Sequence, residues 1–199
     1  MKKTLAIVSF LAVGLLVVTG SATATNVMMH FNGNGSYSYN YPTYPYYFDV
    51  NGSPETLMCI SYNEHISYGE TWEANVMSLD SFAVFSGVGY QEAGELGWLF
   101  LQAASDGGSN PLYNAEAWYL MEGVPTPDPS PAMDALLASL TFNQSQYPGL
   151  RVFVPIDGTQ SWTGEAVQIF IGTPEPSSLL LLGTALIGAG GVFRRKINL

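Results

Sequence analysis

An α+β fold is predicted for the central part of this chain, residues 25–172, from the order of its hydrophobic patterns. Short runs typical of strands lie at both ends of this part, and two or three short stretches with helical spacing lie between them. Two longer apolar stretches at the ends of the chain do not fit such a domain. We expect an N-terminal signal helix and a C-terminal transmembrane helix there.

The first predicted strands surround a tyrosine-rich stretch. Asn32-Gly33-Asn34-Gly35 is a typical turn sequence. The spacing of two between Tyr37, Tyr39 and Tyr41 then predicts a strand with one tyrosine face, which either packs against the domain or stacks on sugar rings. Asn51-Gly52-Ser53-Pro54 predicts a hairpin turn. Further strands are predicted over residues 56–62, 70–77, 152–154 and 166–171.

The middle section predicts helices in three places. Residues 90–104 carry apolar side chains at helical spacing and are followed by Gly107-Gly108. Pro111 starts a second helix and Gly123 ends it, in keeping with the preference for proline at the start of a helix and glycine just after its end. A third, short helix is predicted over residues 131–140.

Residues 1–24 are predicted to be a cleavable signal peptide. Met1-Lys2-Lys3 supplies a basic start, residues 5–18 are almost continuously apolar, and Ala22 and Ala24 fit the A-x-A cleavage pattern. The apolar run is shorter than the roughly 20 residues of a membrane span. We therefore expect signal peptidase to cut after Ala24 and the remainder to be exported.

Residues 173–199 combine three features in order. Pro174, Glu175 and Pro176 precede an uncharged apolar stretch over residues 179–193, which predicts a transmembrane helix. The prolines favour an extended motif that a protease can bind. By the positive-inside rule, the basic residues that close the segment stay in the cytoplasm, so that everything before the span faces outside. These basic residues are Arg194, Arg195 and Lys196.

This order of motif, apolar span and basic end resembles the PEP-CTERM sorting signal of Gram-negative bacteria. The resemblance implies cleavage near the motif by exosortase, a membrane protease-transpeptidase. It further implies that the protein is held transiently in the inner membrane and then passes to the cell surface or the extracellular matrix. Proteins with this signal typically accompany exopolysaccharide in biofilm or floc, so exopolysaccharide is an expected partner.

The segment between the two signals is strongly acidic. Arg151 is its single Lys or Arg residue against fifteen Asp and Glu residues, which gives a net charge of about −14. Such a charge argues against binding to nucleic acid, whose phosphates require Lys and Arg, and against docking on anionic lipid. It favours solubility outside the cell.

Cys59 is the only cysteine, so an internal disulfide bond is excluded. A buried, inert thiol is one expectation. A strand cysteine followed by an Ala-x-Trp helix is also similar to the thioester domains of Gram-positive adhesins, in which the cysteine condenses with a glutamine. By that resemblance the partner position of Cys59 is Asn114, which stands where the family has glutamine, and Gln91 in the earlier helix is another candidate partner. A thioester would attach the protein covalently to an amine.

The layout of residues 58–120 also resembles uncharacterised acidobacterial PEP-CTERM proteins, in which a cysteine strand is followed by a Gly-Glu-Thr-Trp strand and two helices. The segments that carry this resemblance are Met58-Cys59-Ile60-Ser61, residues 68–74, Tyr90-Gln91-Glu92-Ala93 and residues 115–120.

Residues that carry enzyme chemistry are sparse. His30 and His65 are the only histidines, and neither belongs to a motif such as HExxH. We therefore expect no enzyme activity, no metal site and no cofactor. The leading hypothesis is an exported surface or extracellular-matrix protein processed by exosortase. The alternatives are a thioester adhesin that uses Cys59 and a carbohydrate-binding module that uses the tyrosines.

Overall fold

The computed structural model describes residues 25–38, 41–123, 130–161 and 167–173. Within these ranges the chain forms six strands and four helices. In chain order the elements are β1 (Thr25–Ser38), β2 (Tyr41–Val50), β3 (Ser53–Cys59), β4 (Thr71–Ser78), α1 (Leu79–Ser86), α2 (Gly89–Ser105), α3 (Leu112–Glu122), α4 (Pro131–Ser139), β5 (Arg151–Pro155) and β6 (Phe170–Gly172).

The described strands pair into one closed antiparallel barrel. Around the barrel their order is β1, β2, β3, β6, β5 and β4, and β4 pairs with β1 to close the circle. In the closing pair Thr25 lies opposite Val76, and His30 lies opposite Thr71. The short strand β6 lies between β3 and β5.

The α+β prediction, with strands at both ends of the domain and two or three helices between them, is therefore wrong as a fold class. The strands before and after the helices form a single barrel, and the described helices number four. The hydrophobic pattern of a strand indicates which of its faces is buried, but it does not indicate which strand lies beside it. The contact that closes the barrel joins residues 25–30 to residues 71–76, so no local pattern reports it.

The first strand also differs from its prediction. The turn expected at residues 32–35 lies inside β1, where the register with β2 shifts between Phe31 and Gly33 and again between Asn34 and Ser36. Gly33 has φ of +112°, which glycine adopts without steric cost. Asn and Gly here therefore mark β-bulges in a long strand rather than a reversal of the chain.

The tyrosine-rich stretch is divided between two strands. Tyr37 belongs to β1 and Tyr41 begins β2, so the single tyrosine face that the sequence predicted is wrong. Tyr39 lies outside the described residues. The hairpin turn predicted after β2 is present, with Asn51 and Gly52 at φ of 50° and 83° between β2 and β3.

The three predicted helices are present as α2, α3 and α4. Helix α1 was not predicted, because it has only eight residues and follows a strand pattern without a break. Its signals are local: the Ser78 hydroxyl accepts a hydrogen bond from the backbone N–H of Ser81 at 3.1 Å, and Gly87 ends the helix in the left-handed conformation.

Two hydrophobic cores lie on either side of the barrel wall. Alternate residues of a strand point to opposite faces, so that Cys59 and Phe170 lie inside the barrel while Met58 and Ile171 lie under the helices. The inner core is rich in aromatic rings, and Trp118 of α3 joins it from outside the sheet. The buried aromatic residues of the inner core are Phe31, Tyr46, Phe48, Trp72, Trp118, Phe153 and Phe170.

Among the described residues, no helix combines the length and the apolar character needed to cross a bilayer. The predicted signal helix in residues 1–24 and the predicted transmembrane helix over residues 179–193 lie outside the described residues.

The two ends of the barrel carry different parts of the chain. Thr25 pairs with Val76 of β4, and two residues further along β4 Ser78 pairs with Arg151, which in turn pairs with Gly172. The start of β1 and the end of β6 therefore lie at the same end of the barrel, which we call the exit end. We call the opposite end, where β2 starts and β3 ends, the far end.

Candidate functional site

A pocket with a volume of about 80 Å³ lies at the far end of the barrel. Its walls come from the start of β2, the loop after β3, helix α3 and the residues before β6, and most of them are aromatic or apolar. We call it the aromatic pocket. Its lining residues are Tyr41, Pro42, Tyr46, Tyr62, His65, Ile66, Trp118 and Gln168.

One face of α3 holds this end together. Asn114, Trp118 and Glu122 follow one another at intervals of four residues and therefore share a face of the helix. The Asn114 side-chain amide donates to the backbone oxygen of Cys59 at 2.7 Å, and its Oδ1 accepts from the backbone N–H of Tyr44 at 2.8 Å. Asn114 thus ties the start of β2 to the end of β3.

Glu122 fixes the loop that follows β3. Its Oε1 accepts from the backbone N–H of Tyr62 at 2.7 Å, and its Oε2 accepts from the backbone N–H of Asn63 at 3.1 Å and from the Asn63 side-chain amide. The Ser61 hydroxyl accepts from the backbone N–H of Ile169 at 2.7 Å, which joins the loop to the chain that enters β6. The pocket walls from this loop are therefore positioned by hydrogen bonds to two other elements.

Three aromatic rings form a partial box in the pocket wall. The ring centroids of Tyr41 and Tyr62 are 5.0 Å apart, those of Tyr62 and Trp118 are 5.3 Å apart, and those of Tyr41 and Trp118 are 6.4 Å apart. The three interplanar angles are 64°, 57° and 76°. Aromatic pairs favour such steep arrangements, and all three rings line the pocket.

Cys59 lies beneath this box and is fully buried. Its thiol donates to the backbone oxygen of Ser61 at 2.9 Å. Burial raises the pKa of the Cys59 thiol to about 12, and the charges of Glu64 and Glu122 act in the same direction, although the nearby Trp118 indole partly opposes them. The thiol is therefore protonated at neutral pH, which makes it a poor nucleophile.

The two amides named by the thioester resemblance lie in different places. Asn114 contacts Cys59, but it does so through the backbone oxygen of that residue, and both polar atoms of its amide are engaged. Gln91 lies on α2, where its amide donates to the backbone oxygen of Leu140 at 3.2 Å and accepts from the backbone N–H of Phe142 at 3.1 Å. The structure thus brings Asn114 to Cys59 and holds Gln91 beside the chain after α4. The thioester stays a hypothesis.

Unpaired polar atoms are concentrated around the far end. Within the part of the chain that the structure describes, four buried side-chain atoms have no hydrogen-bond partner: Thr43 Oγ1, Glu64 Oε2, Glu116 Oε2 and Trp118 Nε1. All four belong to the start of β2, the loop after β3 or α3, which are the elements that build the pocket. Buried polar atoms are normally paired, so the burial of these four atoms costs free energy at the elements that build the pocket.

The electric charge around the pocket is negative. Burial raises the pKa of Glu64, and the nearby carboxylates of Glu122 and Asp157 raise it further, although a hydrogen bond from Ser61 acts in the opposite direction. Arg151, the single Lys or Arg among the described residues, pairs with Gly172 at the exit end. The described part of the chain therefore places no fixed positive charge at the pocket.

Sequence reasoning did not assemble this pocket. Trp118 was predicted as part of a helix and Gln168 as part of a strand, while His65 stood out only because it is one of two histidines. The one local signal was the spacing of four between Asn114, Trp118 and Glu122, which places them on one face of α3. Each of these side chains carries a polar group that normally has a hydrogen-bond partner when it is buried. The chain segments that meet them come from distant parts of the sequence.

Comparison with known proteins identifies the end of the chain. The PEP-CTERM protein-sorting motif matches residues 173–196. Comparisons with curated proteins and with solved structures found no match, so no relative supports the resemblance of residues 58–120 to acidobacterial proteins. The sorting motif and the basic end lie outside the described residues, and the match confirms the predicted signal there. The chain is an exported protein that carries a PEP-CTERM motif, is anchored transiently in the membrane and is sorted by exosortase.

Proposed function

We propose that the protein is a non-enzymatic component of the cell surface or extracellular matrix that associates with exopolysaccharide through the far end of its barrel. The observation that carries the proposal is the sorting motif, which begins one residue after β6. Exosortase processing at this motif delivers the domain to the compartment in which exopolysaccharide accumulates.

The arrangement of the barrel supports this role. The chain enters the domain at Thr25 and leaves it after Gly172 at the exit end, whereas Gln168 in the pocket wall precedes β6. Strand β6 therefore runs from the pocket towards the sorting motif. A domain held by its C-terminal segment would present the aromatic pocket away from the point of attachment.

Charge narrows the kind of polymer that the domain binds. The net charge of the domain before the motif is about −14. Uronic-acid-rich or phosphorylated polymers are also negatively charged, so they repel the domain at distances shorter than the Debye length, where salt screens the repulsion only partly. Neutral or basic sugars are free of this repulsion. The tyrosine-rich stretch contributes Tyr41 and Tyr46 to the pocket, which is a more restricted surface than a continuous tyrosine face.

The absence of enzyme activity is part of the proposal. It is supported by the buried Cys59 thiol, whose pKa of about 12 keeps it protonated.

Fractionation of native cells tests the sorting and the matrix association together. We expect the intact protein in the surface and matrix fractions, and a variant that lacks residues 174–199 in the periplasm. The matched control replaces Pro174 and Pro176 by alanine, which keeps the apolar span and basic end but removes the motif, so this variant should stay in the inner membrane. Retention of the truncated protein on the surface would contradict the sorting role. An unchanged matrix fraction in a strain that makes no exopolysaccharide would contradict the polymer association.

A further inference from the structure

The aromatic pocket has a size, a ring arrangement and a charge that together define a ligand class. We propose that it binds the ammonium group of a small organic cation, either methylated or carried as a primary amine on a sugar. This inference rests on the geometry of the pocket and does not depend on the exopolysaccharide association.

Size excludes larger ligands. The pocket volume is about 80 Å³, whereas an apolar cavity of roughly 150 Å³ holds one benzene molecule and pockets for whole drug-sized ligands span about 300–1,000 Å³. A complete sugar ring therefore does not fit inside, but a methylated or unsubstituted ammonium head group does. The rest of such a ligand would extend past Tyr41, which is 39% exposed at the rim.

The rings suit a cation. A positive charge is attracted to the face of tryptophan and tyrosine rings, and several rings at steep angles allow one cation to contact more than one face. Tyr41, Tyr62 and Trp118 all line the pocket, with centroids 5.0–6.4 Å apart. A neutral group of the same shape would gain apolar contact from these rings but no such attraction.

The surrounding charges act in the same direction. Glu64 lies in the loop between the lining residues Tyr62 and His65, and its Oε2 is buried without a partner. Glu122 and Asp157 add negative charge close to it. A cation in the aromatic pocket would supply the positive partner that this group of carboxylates lacks among the described residues, and would do so where water screens poorly.

A matched pair of ligands tests the inference on the full-length chain, purified in a polyoxyethylene detergent that carries no ammonium group. Choline and 3,3-dimethylbutan-1-ol have nearly the same shape, but only choline is charged. Calorimetric titration should give saturable choline binding with a dissociation constant of about 1 mM, and binding of the alcohol about tenfold weaker. Sodium chloride at the same ionic strength serves as the salt control. Equal affinity for both ligands, or no saturable binding of choline, would overturn the inference.

Two sugars distinguish the source of the ammonium group. Glucosamine carries a primary ammonium group, and N-acetylglucosamine carries a neutral amide on the same ring. Tighter binding of glucosamine than of choline would identify amino sugars as the source, and the reverse order would identify methylated ammonium compounds. Preference for N-acetylglucosamine over glucosamine would show a neutral sugar site and would contradict the inference.

Variants at the rim locate the binding. Tyr41→Leu removes one wall and should weaken choline binding by about fivefold or more, whereas Tyr41→Phe keeps the ring and should change it little. Tyr37→Leu is the matched control, because Tyr37 is 65% exposed and does not line the pocket. Near-ultraviolet circular dichroism verifies that each variant is folded. Equal effects of Tyr41→Leu and Tyr37→Leu would place the binding elsewhere and would overturn the inference.

The pH dependence provides a separate check with choline, whose charge is constant. Acidification from about pH 8 to about pH 5.5 favours the neutral form of Glu64, whose pKa is raised by burial. The other ionisable groups close to Glu64 and the pocket are Tyr41, Tyr62, His65, Glu122 and Asp157. Choline affinity should therefore fall on acidification, and a rise would contradict a cation site.

Discussion

The exit end and the far end of the barrel are made from the same strands but differ in how their polar groups are hydrogen-bonded. At the exit end, Asn51 donates its backbone N–H to the oxygen of Met28 at 2.9 Å and accepts from the N–H of Met28 through its side chain at 2.8 Å. The guanidinium group of Arg151 donates to two backbone oxygens there, each at 2.9 Å. At the far end, buried atoms of Thr43 and Trp118 have no partner.

The exit end therefore contributes hydrogen bonds that stabilise the barrel, whereas the far end carries the aromatic pocket. The hydrogen bonds of Asn51 and Arg151 stabilise the exit end, where the chain enters and leaves the barrel. Unpaired buried groups lower the free energy of unfolding, so the far end contributes less to the stability of the barrel than its buried area alone would give. Substitutions in the core that both ends share, and at the far end itself, distinguish these contributions.

The largest loss of stability is expected at the centre of the barrel. Phe170 is fully buried, and its ring centroid lies 4.7 Å from that of Phe48 and 5.5 Å from that of Tyr46. Phe170→Ala should lower the free energy of unfolding by about 3–5 kcal/mol in urea denaturation of the full-length chain. Tyr37→Ala is the control for an exposed aromatic side chain. A loss below about 1 kcal/mol would mean that the inner core is not packed as described.

A smaller loss is expected where α3 joins the far end. Asn114→Leu keeps the side-chain volume but leaves the N–H of Tyr44 and the oxygen of Cys59 without partners, which should cost about 2–3 kcal/mol. Hydrogen exchange at the Tyr44 amide should accelerate at the same time. Asn143→Leu is the matched control, since Asn143 is exposed. Unchanged exchange at Tyr44 would show that Asn114 does not close this end.

A gain of stability is expected at Glu116. Its side chain is fully buried with one oxygen unpaired, and burial together with the nearby Asp134 raises its pKa. Because the carboxyl ionises more readily in the unfolded chain, ionisation destabilises the fold above the unfolded pKa of about 4.3. Glu116→Gln keeps the acceptor for the N–H of Ser130 at 2.7 Å and should raise the free energy of unfolding by roughly 1 kcal/mol at neutral pH.

The pH profile distinguishes this cause from a change in packing. The gain from Glu116→Gln should be larger at about pH 8 than at about pH 5. At the higher pH the Glu116 carboxyl of the unsubstituted protein is fully ionised in the unfolded state, which favours unfolding. Thermal unfolding at both pH values measures the difference. A gain that does not vary with pH would contradict the assignment to a buried charge.

The smallest effect is expected at Cys59. Iodoacetamide should not modify its thiol in the folded protein at neutral pH and should modify it readily in urea, because the thiol is buried and its pKa is raised to about 12. Intact-mass measurement of the untreated protein should give the mass expected for a free thiol. A mass deficit of one ammonia, with loss of the signal after methylamine treatment, would instead establish the thioester.

The parts of the molecule that the sequence predicted are those whose signals are local. Proline, apolar and basic residues in order identify the sorting signal at residues 173–196, and Pro111 and Gly123 bracket α3 within one residue. The barrel was missed because β1 and β4 meet across more than forty residues of chain, Thr25 opposite Val76 at one limit. Asn32 to Gly35 misled for a related reason, since the same residue types serve turns and bulges.

The pocket was missed because its walls come from segments that are distant in sequence. Tyr41, Tyr62, Trp118 and Gln168 are each unremarkable within their own segments, and only barrel closure brings them to one place. Cys59 stood out as the single cysteine, but its surroundings and not its rarity decide its chemistry. Electrostatic character, in contrast, followed directly from composition, because one arginine cannot neutralise fifteen carboxylates.

The common position of the start of β1 and the end of β6 has a practical consequence for the domain as a unit. Strands β1, β4, β5 and β6 are successive neighbours, so Thr25 and Gly172 are separated by three inter-strand spacings, about 15 Å along the wall. Domains whose ends lie close together tolerate insertion into a loop of another protein. Residues 25–172 should therefore fold when they are inserted into a surface loop of an unrelated carrier protein. Both connections to the carrier would lie at the exit end, and the pocket at the far end would remain accessible.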